Sequence, residues 1–502
     1  MERRIRRLGI ALVVLFLLVF GQLSYVQVFA ADDIKANPAN FSRQLIAEYN
    51  VQRGSIFTAD GLLLAESVPN PDRTSRYRYL RRYPEGDLYG QITGYYSPTY
   101  GASNVERSMY PYLSGDSPEL AISTFTDLFL GRAKRGGSVF LTIDSQLQEV
   151  AREALSTNQG AVVAMDPRTG DILAMYSTPG FDPNRLSSGS SRDIRNAWKQ
   201  LNADPDRPLV PLANQELFLP GSSFKIVTAT AALEHGYGLH DTFPNPHRLA
   251  LPLTNAQLQN FGDEWCAGGA ARITLLEAFE ESCNVTFAEI GLKLGAEAMS
   301  DQAQAFGLCS TLPPDRTTCQ DPTIQFDLPF QNGRFPEPSY FERNDPLLAF
   351  SAIGLDNDLV NPLQMALLAS AVANGGELMT PRIVRQVRDS QNRVIREFGA
   401  DVWGRPMSPT SAEQLTQMMI GVVNEGTGYR AALPNIQVAG KTGTATNGEG
   451  EPPNAWFTAF APAANPTIAV SVIVLDGGSL GNEATGGQVA APIVQRILDA
   501  YL

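Results

Sequence analysis

Two of the six lysines in this 502-residue chain sit where they could activate a hydroxyl. Pro220-Gly221-Ser222-Ser223-Phe224-Lys225 opens a helical run, which sets Ser222 at a helix N-terminus with Lys225 one turn on, on the same face. The helix dipole and free N–H groups favour negative charge on the hydroxyl there. A lysine made neutral by burial or by a second cation can take its proton. An N-capping serine followed by a surface lysine gives the same four residues, so the pair alone decides nothing. Of the six lysines, however, Lys225 is the only one with a serine three residues before it.

Lys441-Thr442-Gly443-Thr444 lies in a strand-like stretch, so a cation, two hydroxyls and a glycine share one strand. Such an edge can bind a carboxylate by charge and hydroxyl, approach it closely through the glycine, and offer an N–H to an oxyanion. Gly440-Lys441-Thr442 also matches the end of a phosphate-binding loop. That loop needs a glycine where Asn435 stands, and a helix after it rather than a strand. Ser-x-Asn occurs three times, starting at Ser156, Ser282 and Ser390. Only Ser282-Cys283-Asn284 interrupts a helical stretch between the other two motifs; there Ser282 could relay a proton and Asn284 could hold a substrate amide.

The elements that position these residues belong to a chain too long for one ordinary domain. With 43% hydrophobic and 18% charged residues it can build ordinary cores, which excludes a wholly disordered protein. A net charge of −13 disfavours a nucleic-acid partner, since phosphate binding needs clustered Lys and Arg. The 23 residues from Leu8 to Ala30 carry no charge, enough for a helix to span the bilayer. Arg3, Arg4, Arg6 and Arg7 before that run and Asp32 and Asp33 after it place residues 1–7 in the cytoplasm and the bulk outside. A signal peptide cleaved after Ala30 is the competing reading.

Residues 31–155 are turn-rich with short strand-like runs, an irregular α+β module in which no chemistry is evident. A second module, 156–502, opens with a β-hairpin: Gly160 to Met165 and Ile172 to Tyr176 flank the turn Asp166-Pro167-Arg168-Thr169-Gly170. Helical spacing predicts helices over 222–235, 274–294 and 362–374. Strands follow over 438–446, 455–460 and 468–475, with a helical tail over 490–502. Strands at both sequence ends with helices between predict one antiparallel sheet whose first and last segments meet under a cover of helices.

Four cysteines fit an oxidising compartment, and we expect the sequence-local pairs Cys266 with Cys283 and Cys309 with Cys319. Each would stabilise by about 3 kcal/mol in the chain-entropy treatment. His235, His240 and His247 are unevenly spaced in a loop-like segment and form no His-x-x-x-His pair, so no metal or cofactor is expected. Without a Gly-x-Ser-x-Gly motif, a Ser-His-Asp hydrolase has no support either.

Ser-x-x-Lys, Ser-x-Asn and Lys-Thr-Gly in this order form the signature of penicillin-binding proteins and serine β-lactamases. The chain resembles class B penicillin-binding proteins, the monofunctional peptidoglycan D,D-transpeptidases, in their short membrane-anchored form without C-terminal accessory repeats. The resemblance extends to Arg53-Gly54-Ser55-Ile56 with Asp60-Gly61, Leu141-Thr142-Ile143-Asp144 with Gln148, Phe181-Asp182-Pro183-Asn184, Asn361-Pro362-Leu363-Gln364-Met365 and Ala455-Trp456-Phe457. Ser223 stands where the family often has Thr, and Gly354-Leu355 where it often has Gly-Gln. The first module's turn is shortened to Ala59-Asp60-Gly61.

What the resemblance implies is a serine β-lactamase/transpeptidase-like α+β fold after a dimerisation-type pedestal, at the bacterial cell membrane. Ser222 would attack the penultimate D-alanine carbonyl of a stem peptide, expel D-alanine and pass the acyl group to a neighbouring strand's amine; β-lactams would trap the same serine. Lys225 would be the base. Lys441 would keep it neutral and guide a proton through Ser282. Thr442 and Thr444, on either side of Gly443, would grip the terminal carboxylate, and the N–H groups of Ser222 and Thr444 would form the oxyanion hole. A membrane glycan polymerase is the implied partner. A β-lactamase would need a deacylating Glu, commonly in Glu-x-x-Leu-Asn, but Trp198 stands at that place before Leu201-Asn202. A D,D-carboxypeptidase, or a scaffold that activates a polymerase, remains as the alternative.

Overall fold

The computed structural model describes residues 2–28, 46–120, 133–312, 316–319, 323–446, 448 and 450–502. Helix α1 (Glu2–Val28) contains a span, Arg6–Val26, long and apolar enough to cross a membrane, and none of that span is buried against the rest of the chain. Phe29 and Ala30, where the competing cleavage point falls, lie outside the described residues.

In the first module β1 (Ile56–Phe57), β2 (Leu63–Pro69), β3 (Tyr79–Arg82) and β4 (Ser138–Leu141) share one sheet. Helix α2 (Ser145–Leu155), capped by Asp144 accepting the Leu147 N–H, leads into the hairpin of β5 (Gly160–Met165) and β6 (Ile172–Thr178). The central helices are α3 (Lys225–Glu234), α4 (Leu275–Glu280), α5 (Asn284–Ala305) and α6 (Pro362–Ala373). Next, β7 (Val384–Arg388) and β8 (Val394–Glu397) return to the first sheet, whose order is β8-β7-β4-β1-β2-β3. After α7 (Pro409–Asn424) come β9 (Ala439–Ala445), β10 (Asn454–Ala461), β11 (Ile468–Val474) and α8 (Gly486–Tyr501). The second sheet is antiparallel throughout, in the order β9-β10-β11-β5-β6; its first and last chain segments meet where Val472 pairs with Val162.

Every residue of β5, β10 and β11 is buried, because helices cover both faces of this sheet. Alternate residues serve the two faces. Ala161, Val163, Met165, Trp456 and Phe460 pack with α3 and α6, whereas Val162, Ala164, Phe457, Ala459 and Val470 pack with α2 and α8. Helix α2 thus joins the core of the second sheet, although it lies before residue 156 in sequence.

Three elements depart from the expected pattern for identifiable reasons. The helix expected over 274–294 is broken: α4 ends at Glu280, Ser282 takes a left-handed φ of 62°, and α5 begins at Asn284. The tail helix starts at Gly486 rather than 490, where the glycine pair Gly486-Gly487 conceals a start capped by Thr485. The run at 222 begins as a tight 3₁₀ turn, Gly221–Phe224, before α3.

The pairs Cys266–Cys283 and Cys309–Cys319 are disulfides. The first module is held by a buried charge cluster. Glu106, fully buried, accepts from Arg53 Nε at 2.6 Å and from Arg81 Nε at 2.5 Å. Burial pushes the Glu106 carboxyl up, but the guanidiniums of Arg81 and Arg53 outweigh it and hold it below its ordinary value. Its stabilisation is therefore present at neutral pH and is lost as the pH falls through the carboxylate range. Glu106→Gln leaves two buried guanidiniums without a countercharge. It should lower stability by about 3–5 kcal/mol, read as a reduced denaturant midpoint with an unchanged slope.

Candidate active site

Ser222, Lys225, Ser282, Asn284 and the Lys441–Thr444 segment come from three separate parts of the chain and meet at one groove of about 700 Å³, which all of them but the two lysines line. Glycine makes the meeting possible. Gly221, at φ 53°, would place a Cβ 2.4 Å from the Thr444 carbonyl oxygen, so the Ser222 turn can lie against β9 only without a side chain there. From the other side, a Cβ on Gly486 would lie 2.1 Å from the Trp456 carbonyl oxygen and 2.5 Å from that of Gly443. Strand β9 is the sheet edge, so backbone groups not paired with β10 face the groove.

Both lysines are fully buried. The Lys225 amine lies 2.9 Å from Ser222 Oγ, 2.7 Å from the Ser282 carbonyl oxygen and 2.7 Å from Asn284 Oδ1. The carbonyl and the amide oxygen can only accept. A neutral amine gives its two N–H groups to them and turns its lone pair to the Ser222 hydroxyl, which then donates. Lys441 Nζ donates to Ser282 Oγ at 2.8 Å, and that oxygen is also 3.4 Å from Lys225 Nζ, so Ser282 stands between the two amines. With its left-handed backbone Ser282 turns its carbonyl to Lys225 while its hydroxyl lies between the two amines.

Burial first, and the neighbouring Lys441 charge second, push the Lys225 amine well below the ordinary lysine value. Burial pushes Lys441 down to about 7. On the strand, Thr444 Oγ1 accepts the Gly486 N–H at 3.2 Å, and Thr442 Oγ1 lies 2.7 Å from Thr427 Oγ1. The Cys266–Cys283 bridge ties the residue between Ser282 and Asn284 to the loop bearing Phe261 and Trp265, which also line the groove.

Thr427, Phe261 and Trp265 also line the groove and belong to none of the three motifs. Thr427 carries one legible signal, the glycines on both sides of it. Leu355 lines the groove at the position where a family glutamine was missing. Trp198 stacks on Tyr100 at 4.3 Å and is not among the lining residues. Glu281 lies within ligand distance of Cys266 and Cys283, but the disulfide leaves neither sulfur free as a thiolate for a metal.

A family model described as the penicillin-binding protein transpeptidase domain matches residues 160–499. Another, the penicillin-binding protein A dimerisation domain, matches residues 53–139. The chain belongs to the penicillin-binding protein transpeptidases. Peptidoglycan D,D-transpeptidase PbpA of Mycolicibacterium smegmatis is 38% identical, with 100% of this chain and 99% of the relative covered. The PbpA of Mycobacterium tuberculosis is 36% identical over the same shares. A solved structure of penicillin-binding protein A from M. tuberculosis, a ceftriaxone acyl-enzyme complex, matches with a TM-score of 0.83 at 36% identity, covering 91% of this chain and 100% of that one.

In this penicillin-binding protein the two amines are electrostatically linked, and the sign of the link is testable. Removing the Lys441 cation removes one of the two influences that lower Lys225. With ¹³C-labelled lysine, NMR titration should find Lys225 and Lys441 losing their protons below the ordinary lysine range, and Lys441→Ala should move the Lys225 transition to higher pH. A downward or absent movement contradicts the linkage.

Proposed function

We propose that Ser222 carries the acyl group in the reaction of this chain, peptidoglycan D,D-transpeptidation. The observation that carries this reading is the division of the Lys225 amine among its partners: two oxygens that can only accept, and the Ser222 hydroxyl at 2.9 Å. Lys225 takes the Ser222 proton as Oγ bonds to the penultimate D-alanine carbonyl carbon. The oxyanion that forms is met by the N–H groups of Ser222 and Thr444; one such donor contributes roughly 10²–10³ in rate. Collapse breaks the carbon–nitrogen bond to the terminal D-alanine. The proton held by Lys225 reaches the leaving nitrogen through Ser282, with Lys441 as the cation behind it.

The acyl group then waits on Ser222. A primary amine from a neighbouring stem peptide attacks the ester carbonyl, gives its proton back along the same path, and releases Ser222 with a new peptide bond made. Thr442 and Thr444 hold the terminal carboxylate of the donor peptide, Gly443 between them lets β9 lie against the Ser222 turn, where a Cβ would be 2.6 Å from the Pro220 carbonyl oxygen, and Asn284 holds a substrate amide. β-Lactams follow the first half of this path and stop at the acyl-enzyme.

We further propose that α1 anchors the chain in the cell membrane with the site on the extracytoplasmic side, supported by the arginines before its apolar span and the disulfides after it. Residues 31–155 act as the pedestal of the 156–502 catalytic module and as the contact for a membrane glycan polymerase. Single-pass anchoring suits lateral contact of that kind.

Ser222→Ala should abolish the covalent adduct with penicillin in intact-protein mass spectrometry while leaving the melting transition in place. An undiminished adduct contradicts the assignment of Ser222. With stem-peptide substrates the wild-type protein should form cross-linked dimer; release of D-alanine without dimer would make it a carboxypeptidase instead.

A further inference from the structure

The Gly426-Thr427-Gly428 loop after α7 is confined on three sides. A Cβ at Gly426 would lie 2.2 Å from the Glu280 carbonyl oxygen, one at Gly428 2.9 Å from the Phe457 ring, and one at Gly487 2.2 Å from the carbonyl oxygen of Thr427 itself. The Gly426 and Gly428 N–H groups donate to the Gly421 and Val422 carbonyls at 3.0 and 2.8 Å. The Thr427 backbone is therefore wedged between the end of α4, strand β10 and the start of α8. From that fixed position its exposed side chain lines the groove and reaches Thr442 Oγ1 at 2.7 Å.

Where the hydroxyl protons lie decides what this contact does. Thr442 and Thr444 are two residues apart on β9 and share one face of the strand. Thr444 Oγ1 accepts from the Gly486 N–H and so keeps its own proton to give away. If Thr427 donates to Thr442 Oγ1, Thr442 likewise keeps its proton, and the strand face offers two O–H donors to one anion. If Thr442 donated to Thr427 instead, only lone pairs on Thr442 would face that anion, and they repel a carboxylate.

We infer that Thr427 is a positioning residue for the substrate's terminal carboxylate: its hydroxyl donates to Thr442 and so holds Thr442 as a donor to that anion. The inference rests on the proposed reading of Thr442 and Thr444 as the carboxylate-binding hydroxyls. It adds a third hydroxyl that touches the second and not the substrate.

Acylation of the full-length protein by penicillin G and by penicillin G methyl ester separates the possibilities, with saturation kinetics resolving binding from the acylation step. Thr427→Val should reduce the preference for the free acid over the ester about fivefold, the size of one lost neutral hydrogen bond. The loss should fall in binding, with the limiting acylation rate kept. Thr427→Ser should restore the preference, and Thr427→Ala should match Val, which excludes a clash as the cause. Equal slowing of acid and ester by both hydroxyl-less variants overturns the inference in favour of a purely structural loop. An unchanged preference in T427V beside a reduced one in Thr442→Val overturns it while leaving the carboxylate site standing. An unchanged preference in Thr442→Val removes the carboxylate reading and this inference with it.

Discussion

Two lysine amines lie inside the protein without a carboxylate partner among the described residues, separated by one serine side chain. An unpaired buried ammonium costs several kcal/mol, so such groups shed protons or are held close to doing so. In most settings that would be a defect. Here burial lowers the Lys225 amine well below the ordinary lysine value and charge on Lys441 lowers it further, the direction that the proposed role of Lys225 as a base requires. The desolvation that destabilises the fold is the same property that lets a lysine accept a serine proton.

The rest of the architecture serves that constraint. A lone pair can face Ser222 only if the two N–H groups of the amine are occupied, and the acceptors come from the Ser282 backbone and the Asn284 amide. Presenting both requires the helical stretch to break between Glu280 and Asn284, with Ser282 in a left-handed conformation and Cys283 tied to Cys266. Strand β9 must then approach the Ser222 turn closely enough that Gly221 can carry no Cβ. Two helix-covered faces keep the sheet dry behind it, so its edge can hold Lys441 away from solvent.

The residues that meet at the groove are largely legible in the sequence, because they fall in motifs of short spacing. Ser222 with Lys225, and Lys441 with its two threonines, stand out by residue type and spacing, although neither motif decides anything alone and the order of the three motifs is what joins them. Ser282 was harder: it is one of three Ser-x-Asn triplets and was chosen by its place in the order of motifs. Burial of β5, β10 and β11 on both faces leaves nearly continuous apolar runs with no alternation to read, yet their length and their β-branched and aromatic content still mark them as strands.

What stayed hidden was non-local. Nothing near residues 384–397 says that they complete the sheet of the first module, and nothing in α2 says that it packs on the second. Arg53, Arg81 and Glu106 are dispersed charges until the fold brings them together. The Gly486-Gly487 start of α8 reads as a loop by propensity, because the reason for its glycines is the approach of Trp456 and Gly443 to the first and of Thr427 to the second. In the proposed mechanism Lys225 is an uncharged amine whose lone pair faces Ser222. Neutron diffraction from deuterium-exchanged crystals at neutral pH should then find two deuterons on Lys225 Nζ, directed at the Ser282 carbonyl and Asn284 Oδ1, with the Ser222 deuteron directed at the nitrogen. Three deuterons on Lys225, one of them directed at Ser222 Oγ, would show instead a charged amine that donates to the serine.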